Sequence, residues 1–118
     1  DAVLVERSPS ATADARVNLR ELGAEIVERN VRRWRPAPAD VVVADPARAG
    51  LGPDGVGVVV GTGAERVALV SCDPASLARD ARALVDAGYE VTGVELVDMF
   101  PHTHHVEAVT GFRRVGRT

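Results

Sequence analysis

The stretch that most constrains what this chain can fold into is Val67-Ala-Leu-Val-Ser-Cys-Asp-Pro-Ala75. Four apolar or small residues, Val67 to Val70, run straight into Ser71 and Cys72, which is the pattern of a buried strand. Asp73 and Pro74 follow, and Leu77, Ala81, Leu84 and Val85 then recur at helical spacing. Asp is a preferred helix cap and Pro a preferred first helical residue, so the strand turns sharply into a helix that opens at Pro74. The only cysteine therefore stands at the carboxyl end of a strand and at the mouth of a helix. Doubly wound α/β sheets bind their ligands at such places. The helix N-terminus favours a thiolate at Cys72, and the negative charge of Asp73 opposes it. The other reading of Cys72 is a small apolar residue that fills space, since free cysteines are among the most buried residue types.

The rest of the chain extends this unit. Ala2 to Glu6 is a short strand, Ser8-Pro9-Ser10 offers helix caps, and Ala11, Ala15, Leu19 and Leu22 predict a helix stopped by Gly23. Glu25 to Glu28 and Val41 to Ala44 read as strands, the latter closed by Asp45-Pro46. The Gly-rich stretch from Gly50 to Gly63 predicts at most a short helix around Val56 to Val60. Arg66 to Ser71 is a strand, the helix from Pro74 ends near Gly88, and Tyr89 to Leu96 is a long strand. Phe100 to His105 is a loop, and Val106 to Val115 a last strand that forms a hairpin-like pair with the one before it. Alternating strands and helices predict an α/β doubly wound domain over residues 1–118, with no repeat or linker. Only four residues are aromatic, so the core must be built from Val, Leu and Ala, which suits a parallel sheet covered by helices.

Composition excludes several classes of function. With a net charge of −3 the chain does not bind nucleic acid by bulk charge. A single cysteine rules out an internal disulfide and fits a reducing, cytoplasmic compartment. No stretch reads as a signal peptide, and no apolar run is long enough to span a membrane.

Besides Cys72, four places carry candidate chemistry. Glu6 ends a strand, where an acid can grip ribose hydroxyls or simply be solvated. Asp45-Pro-Ala-Arg-Ala-Gly50 puts an acid at the same kind of strand end, and it is also ordinary turn chemistry. His102-Thr-His-His-Val-Glu107 offers metal-ligand residue types, but no second cluster completes a tetrahedral set, so no metal is expected. Trp34 lies amid Arg29, Arg32, Arg33 and Arg35, which suits stacking on and clamping RNA as well as it suits a solvated loop.

Taken together, these stretches resemble one family, the S-adenosylmethionine-dependent RNA 5-methyluridine (uracil-C5) methyltransferases. The family's motifs stand here as Asp45-Pro-Ala-Arg-Ala-Gly50, Ser71-Cys-Asp-Pro-Ala-Ser-Leu-Ala-Arg-Asp80 and Asp98-Met-Phe-Pro-His-Thr-His-His-Val-Glu107. Ala47, Asp73 and Ser76 depart from the family's Pro, Asn and Thr, and Asp73 keeps the capping ability of Asn. The similarity runs from about residue 2 to residue 112 and implies a Rossmann-like, three-layer class I methyltransferase sheet. It also implies that the chain is the C-terminal part of a catalytic domain. The first strand and Gly-rich cofactor loop, any upstream RNA-binding domain and any iron–sulfur cysteines would lie outside it, and the chain alone would be inactive. By the resemblance, Cys72 is the nucleophile and Glu107 the general base. Glu6 and Asp45 hold S-adenosylmethionine, and Asp45 and Arg48 meet the substrate uridine of a tRNA or rRNA. The competing expectations are a non-catalytic α/β module kept for RNA or protein contacts, and a cysteine hydrolase using His102, His104 or His105.

Overall fold

Capping chemistry starts the first helix where the sequence places it. Ser8 is the N-cap, its hydroxyl accepting from the Ala11 amide, and Pro9 opens α1 (Pro9–Asn18). The computed structural model describes residues 1–98 and 106–115, and the contacts divide the chain into two units, Asp1–Arg35 and Pro36–Thr118. In the first unit, β1 (Val3–Glu6) pairs in parallel with β2 (Glu25–Glu28), Val3 opposite Glu25 and Glu6 opposite Glu28. The helix between them is pinned by Thr12, which is fully buried and donates to either Glu28 Oε1 at 2.6 Å or the Pro9 carbonyl at 3.0 Å. α1 ends at Asn18, short of the predicted stop at Gly23, and Leu22 is 74% exposed instead of buried. Leu19 to Gly23 form turns, and Gly23 takes a left-handed φ of +66°.

The second unit is a four-stranded sheet in the order β3-β4-β6-β5, with β3 at Val41–Ala44, β4 at Arg66–Ser71, β5 at Tyr89–Asp98 and β6 at Val106–Arg114. β3 and β4 are parallel. β6, last in sequence, inserts antiparallel to both β4 and β5. Two helices connect these strands, α2 (Gly52–Gly61) and α3 (Pro74–Asp86). Alternation along the strands puts Val42, Ala44, Val67, Leu69 and Phe112 on one face. On that face they pack with Leu51, Val56 and Val59 around α2, with Leu84 of α3, and with Tyr89. The opposite face begins with Val41 and Val43, which are exposed. The helices of this unit thus cover one face of its sheet.

The helix at α2 corrects the expectation of at most a short helix over 56–60. Gly-Pro-Asp-Gly-Val-Gly-Val-Val-Val-Gly carries poor helix formers at nearly every position, each Gly weaker than Ala by about 1 kcal/mol. Burial overrides that preference, since Gly52, Gly55, Val56, Val58 and Val59 are all buried. Gly55 lies so close to the helix's own cap residue that an added Cβ would stand 3.0 Å from the Leu51 Cβ, so the first turn leaves little room for a side chain there.

Candidate functional site

The Cys72 turn is built as the sequence predicts. β4 ends at Ser71, Asp73 is the N-cap of α3 in extended conformation, and Pro74 is its first residue. Asp73 Oδ2 accepts from the Ser76 amide at 3.0 Å and lies 2.9 Å from the Ser76 hydroxyl. The amide bond, then the hydroxyl, and to a lesser extent the guanidinium groups of Arg48 and Arg79, hold the Asp73 carboxyl below its ordinary value of 3.8. Cys72 itself is a free, exposed thiol, which sets aside the space-filling reading.

Antiparallel register brings Glu107 to this turn. Ser71 pairs with Ala108, the last rung of the β4–β6 ladder, so Cys72, the residue after Ser71, and Glu107, the residue before Ala108, both lie at that end of the ladder. Glu107 is half-buried, and alternation turns it away from the face that carries buried Ala108. Asp45 is the first residue beyond β3, whose Ala44 pairs with Leu69, so it too emerges at the carboxyl edge of the parallel pair. Asp45, Cys72 and Glu107 therefore share one edge of the sheet of the second unit. Arg48 is exposed on the Asp45–Gly50 loop, and its carbonyl accepts from the Ser76 hydroxyl at 2.9 Å. Such an edge offers a soft nucleophile, two carboxylate bases or acceptors, and a guanidinium cation.

Glu6 belongs to the first unit. It closes β1, is half-buried, and has its Oε1 held by the Ser8 amide at 3.0 Å. An oriented carboxylate at a strand's carboxyl end is an acceptor-only group suited to vicinal hydroxyls. Trp34 follows a 3₁₀ turn over Val31–Arg33 that is capped by Asn30, with Arg29, Arg32, Arg33 and Arg35 exposed around it. His102, His104 and His105 lie outside the described residues, and so does most of the closing motif. Among the described residues no group of three or more His, Cys, Asp or Glu is placed to hold a metal, and no helix is long and apolar enough to cross a membrane.

Ser76, Arg79 and Asp80 are residues whose structural part the motif alone does not reveal. All three reach from α3 to the Asp45-bearing loop or to the start of α2. The signal for Asp80 was in the helix pattern. It stands between Leu77 and Leu84 on the stripe that faces the core, and an acid there must be paired.

The fold defines the class. It is the α/β fold of class I S-adenosylmethionine-dependent methyltransferases, present as a partial Rossmann-like sheet. The likeness extends to the N-methyltransferase NodS from Bradyrhizobium japonicum, with a TM-score of 0.77 over 95% of this chain and 65% of that one, at 12% identity, a match of fold alone. A family model for tRNA (uracil-5-)-methyltransferases matches residues 33–114, and the chain belongs to that family. It is 46% identical to the 23S rRNA (uracil(1939)-C(5))-methyltransferase RlmD of Vibrio parahaemolyticus over 81 residues, 69% of this chain and 18% of that protein. The tRNA (uracil-54, C5)-methyltransferase of Pyrococcus abyssi, solved in complex with S-adenosyl-L-homocysteine, superposes with a TM-score of 0.82 at 32% identity, over 93% of this chain and 28% of that one. The chain thus spans 18% and 28% of the length of these two uracil methyltransferases.

Proposed function

We propose that this chain supplies the nucleophile, the base and part of the cofactor site of an RNA uracil-C5 methyltransferase. The complete protein would act in the cytoplasm on a uridine of tRNA or rRNA. Its sheet would be three-layered, with the first strand and the Gly-rich loop of the cofactor site contributed by sequence outside residues 1–118. The observation that supports the reading is the register that ends at Ser71 and Ala108, next to Cys72 and Glu107, at the edge where Asp45 also emerges. These three residue types, so arranged, match what methylation at C5 of uracil demands.

C5 of uracil is a poor nucleophile. The Cys72 thiolate adds to C6, forming a C–S bond, and the electron pair displaced from the C5–C6 double bond makes C5 an enolate carbon. S-adenosylmethionine, when bound, supplies an electrophilic methyl group on its sulfonium sulfur. Glu107 then takes the proton from C5, the double bond re-forms, and the Cys72 thiolate leaves C6. Glu6 would accept hydrogen bonds from the cofactor's ribose, and its Ser8-held carboxylate fits that task. Asp45 would lie between cofactor and uracil edge, with Arg48 meeting the RNA. The exposed Cys72 can be reached only by a uridine splayed out of its stack, which favours loops and single strands.

The test is nucleoside analysis of RNA incubated with the complete protein and S-adenosylmethionine. 5-Methyluridine forms with the wild type and not with Cys72→Ala. Full methylation by Cys72→Ala refutes the assignment, and no methylation by the wild type on any tRNA or rRNA returns the chain to the non-catalytic reading.

A further inference from the structure

Asp80 is 1% exposed on the core-facing stripe of α3. A carboxylate so placed is stable only if its oxygens are satisfied. Its partners come chiefly from one place. Oδ2 accepts from the Leu51 amide at 2.7 Å, and Oδ1 accepts from the Gly52 amide at 3.1 Å. Those are the first amides of α2, whose own N-cap residue, Leu51, provides no side-chain acceptor. Asp80 therefore caps α2 from another helix, with its charge at the positive end of the helix dipole. Arg79 ties the same knot: its Nη2 donates to Asp80 Oδ1 at 3.1 Å and to the Ala49 carbonyl at 2.5 Å. Ser76, one turn earlier, stands 2.9 Å from the Arg48 carbonyl and 2.9 Å from Asp73 Oδ2.

Ser76, Arg79 and Asp80 thus share one helix face and hold Arg48, Ala49, Leu51 and Gly52. The residue they enclose, Gly50, has a φ of +77°, and a Cβ there would meet Asp80 Oδ2, Arg79 Nη2 and Ser76 Cβ. The loop so gripped carries Asp45 and Arg48, and the helix that grips it begins at the Cys72 turn. We propose that Asp80, assisted by Ser76 and Arg79, is a positioning residue that fixes the Asp45–Gly50 loop beside Cys72 for the methyl-transfer reaction. The inference rests on the proposed function for its catalytic consequence, and on the hydrogen bonds alone for the clasp. None of the three residues needs to touch uracil or cofactor. Asp80 dominates, because Arg79 keeps half of its side chain in solvent and Ser76 divides one proton between two acceptors.

The experiment has two readouts. By NMR on the complete protein, Asp80→Asn accelerates hydrogen exchange at the Leu51 and Gly52 amides about 10- to 100-fold, the range for hydrogen bonds to a charged group. The core amide of Phe112 in β6 keeps its rate. Unchanged exchange at Leu51 and Gly52, or equal acceleration at all three, overturns the clasp. In the complete protein, Asp80→Asn lowers kcat on substrate RNA on the order of 100-fold, as loss of positioning by about 1 Å does, with KM nearly constant. Ser76→Ala lowers kcat less, and Ser76→Thr, which keeps the hydroxyl, restores it. A wild-type kcat in Asp80→Asn, or Ser76→Thr behaving as Ser76→Ala, refutes the positioning role. A wild type that methylates no RNA would sink the enzymatic reading while the amide exchange still decides the clasp.

Discussion

Substituting Gly50 by Ala perturbs the point where the Asp45 loop meets α3, and the structure gives the size of the effect. Two costs arise. Left-handed backbone costs an L residue about 1–2 kcal/mol, and Gly50 has a φ of +77°. The new Cβ also lands on Asp80 Oδ2, which must move and give up at least one charge-assisted bond to the Leu51 or Gly52 amide, worth about 1.5–3 kcal/mol. Gly50→Ala is therefore expected to lose about 2.5–5 kcal/mol, a large part of the roughly 5–15 kcal/mol that stabilises a domain. Gly63→Ala isolates the first cost. Gly63 lies in the same unit with a φ of +69°, and its Cβ would meet only the Arg114 guanidinium at an ordinary 3.6 Å. That variant should lose about 1–2 kcal/mol. Urea unfolding followed by far-ultraviolet circular dichroism measures both. Adding Asp80→Asn to Gly50→Ala should cost less than the sum of the single changes, because both act through the same carboxylate. Equal losses for Gly50→Ala and Gly63→Ala, or strict additivity with Asp80→Asn, would refute the reasoning.

Other perturbations follow from the same contacts. Tyr89 is buried, its hydroxyl donates to the Ala64 carbonyl at 2.5 Å, and burial holds that hydroxyl above its ordinary value of 10.0. The folded state keeps the Tyr89 proton where the unfolded chain loses it, so stability falls as pH rises from about 10 through the folded value, and Tyr89→Phe should flatten that fall. Since Tyr89 is the only tyrosine, an absorbance titration reads it directly. The lowered Asp73 carboxyl has the opposite sign: its stabilisation is complete above about 3.8 and is lost as pH falls through the folded value, and Asp73→Asn should remove this component from the acid-unfolding curve. The same substitution takes a negative charge from beside the exposed Cys72, and the thiol should alkylate faster at neutral pH. Calorimetry of this chain with S-adenosylmethionine should show binding weaker than micromolar, since only Glu6 and Asp45 are proposed as its contacts; micromolar affinity or better would overturn that count.

Local chemistry was legible in the sequence and long-range chemistry was not. Asp73 and Pro74 announce α3, and the structure starts the helix there with the Asp73 cap formed. Asp45 and Cys72 could be placed at strand ends because both follow apolar runs broken by Pro. The full length of α2 was hidden, because its Gly and Val residues argue against a helix and its cap, Asp80, lies 28 residues away from Gly52. Helical spacing over-extended α1, since Leu19 and Leu22 fit the pattern but fall in turns outside the helix. The hairpin-like pair at the end was foreseen, but the insertion of β6 between β4 and β5 was not. No spacing rule specifies that order, and it is what brings Glu107 to the end of β4 that Cys72 follows. The resemblance of motifs named both residues, and the register puts both next to the last β4–β6 pair, Ser71 and Ala108.

The central claim is that Cys72 acts before methyl transfer and Glu107 after it, and a trapping assay tests that order most directly. The complete protein is incubated with labelled substrate RNA and S-adenosylmethionine and run on a denaturing gel. Loss of a positioned general base slows its step about 10²- to 10⁴-fold. Glu107→Gln should therefore accumulate a shifted band in which methylated RNA remains joined to protein through the C6–sulfur bond. Cys72→Ala should give neither band nor methylation, because the proposed nucleophile is gone. Methylation by Cys72→Ala, or normal turnover without a trapped band by Glu107→Gln, would contradict the account.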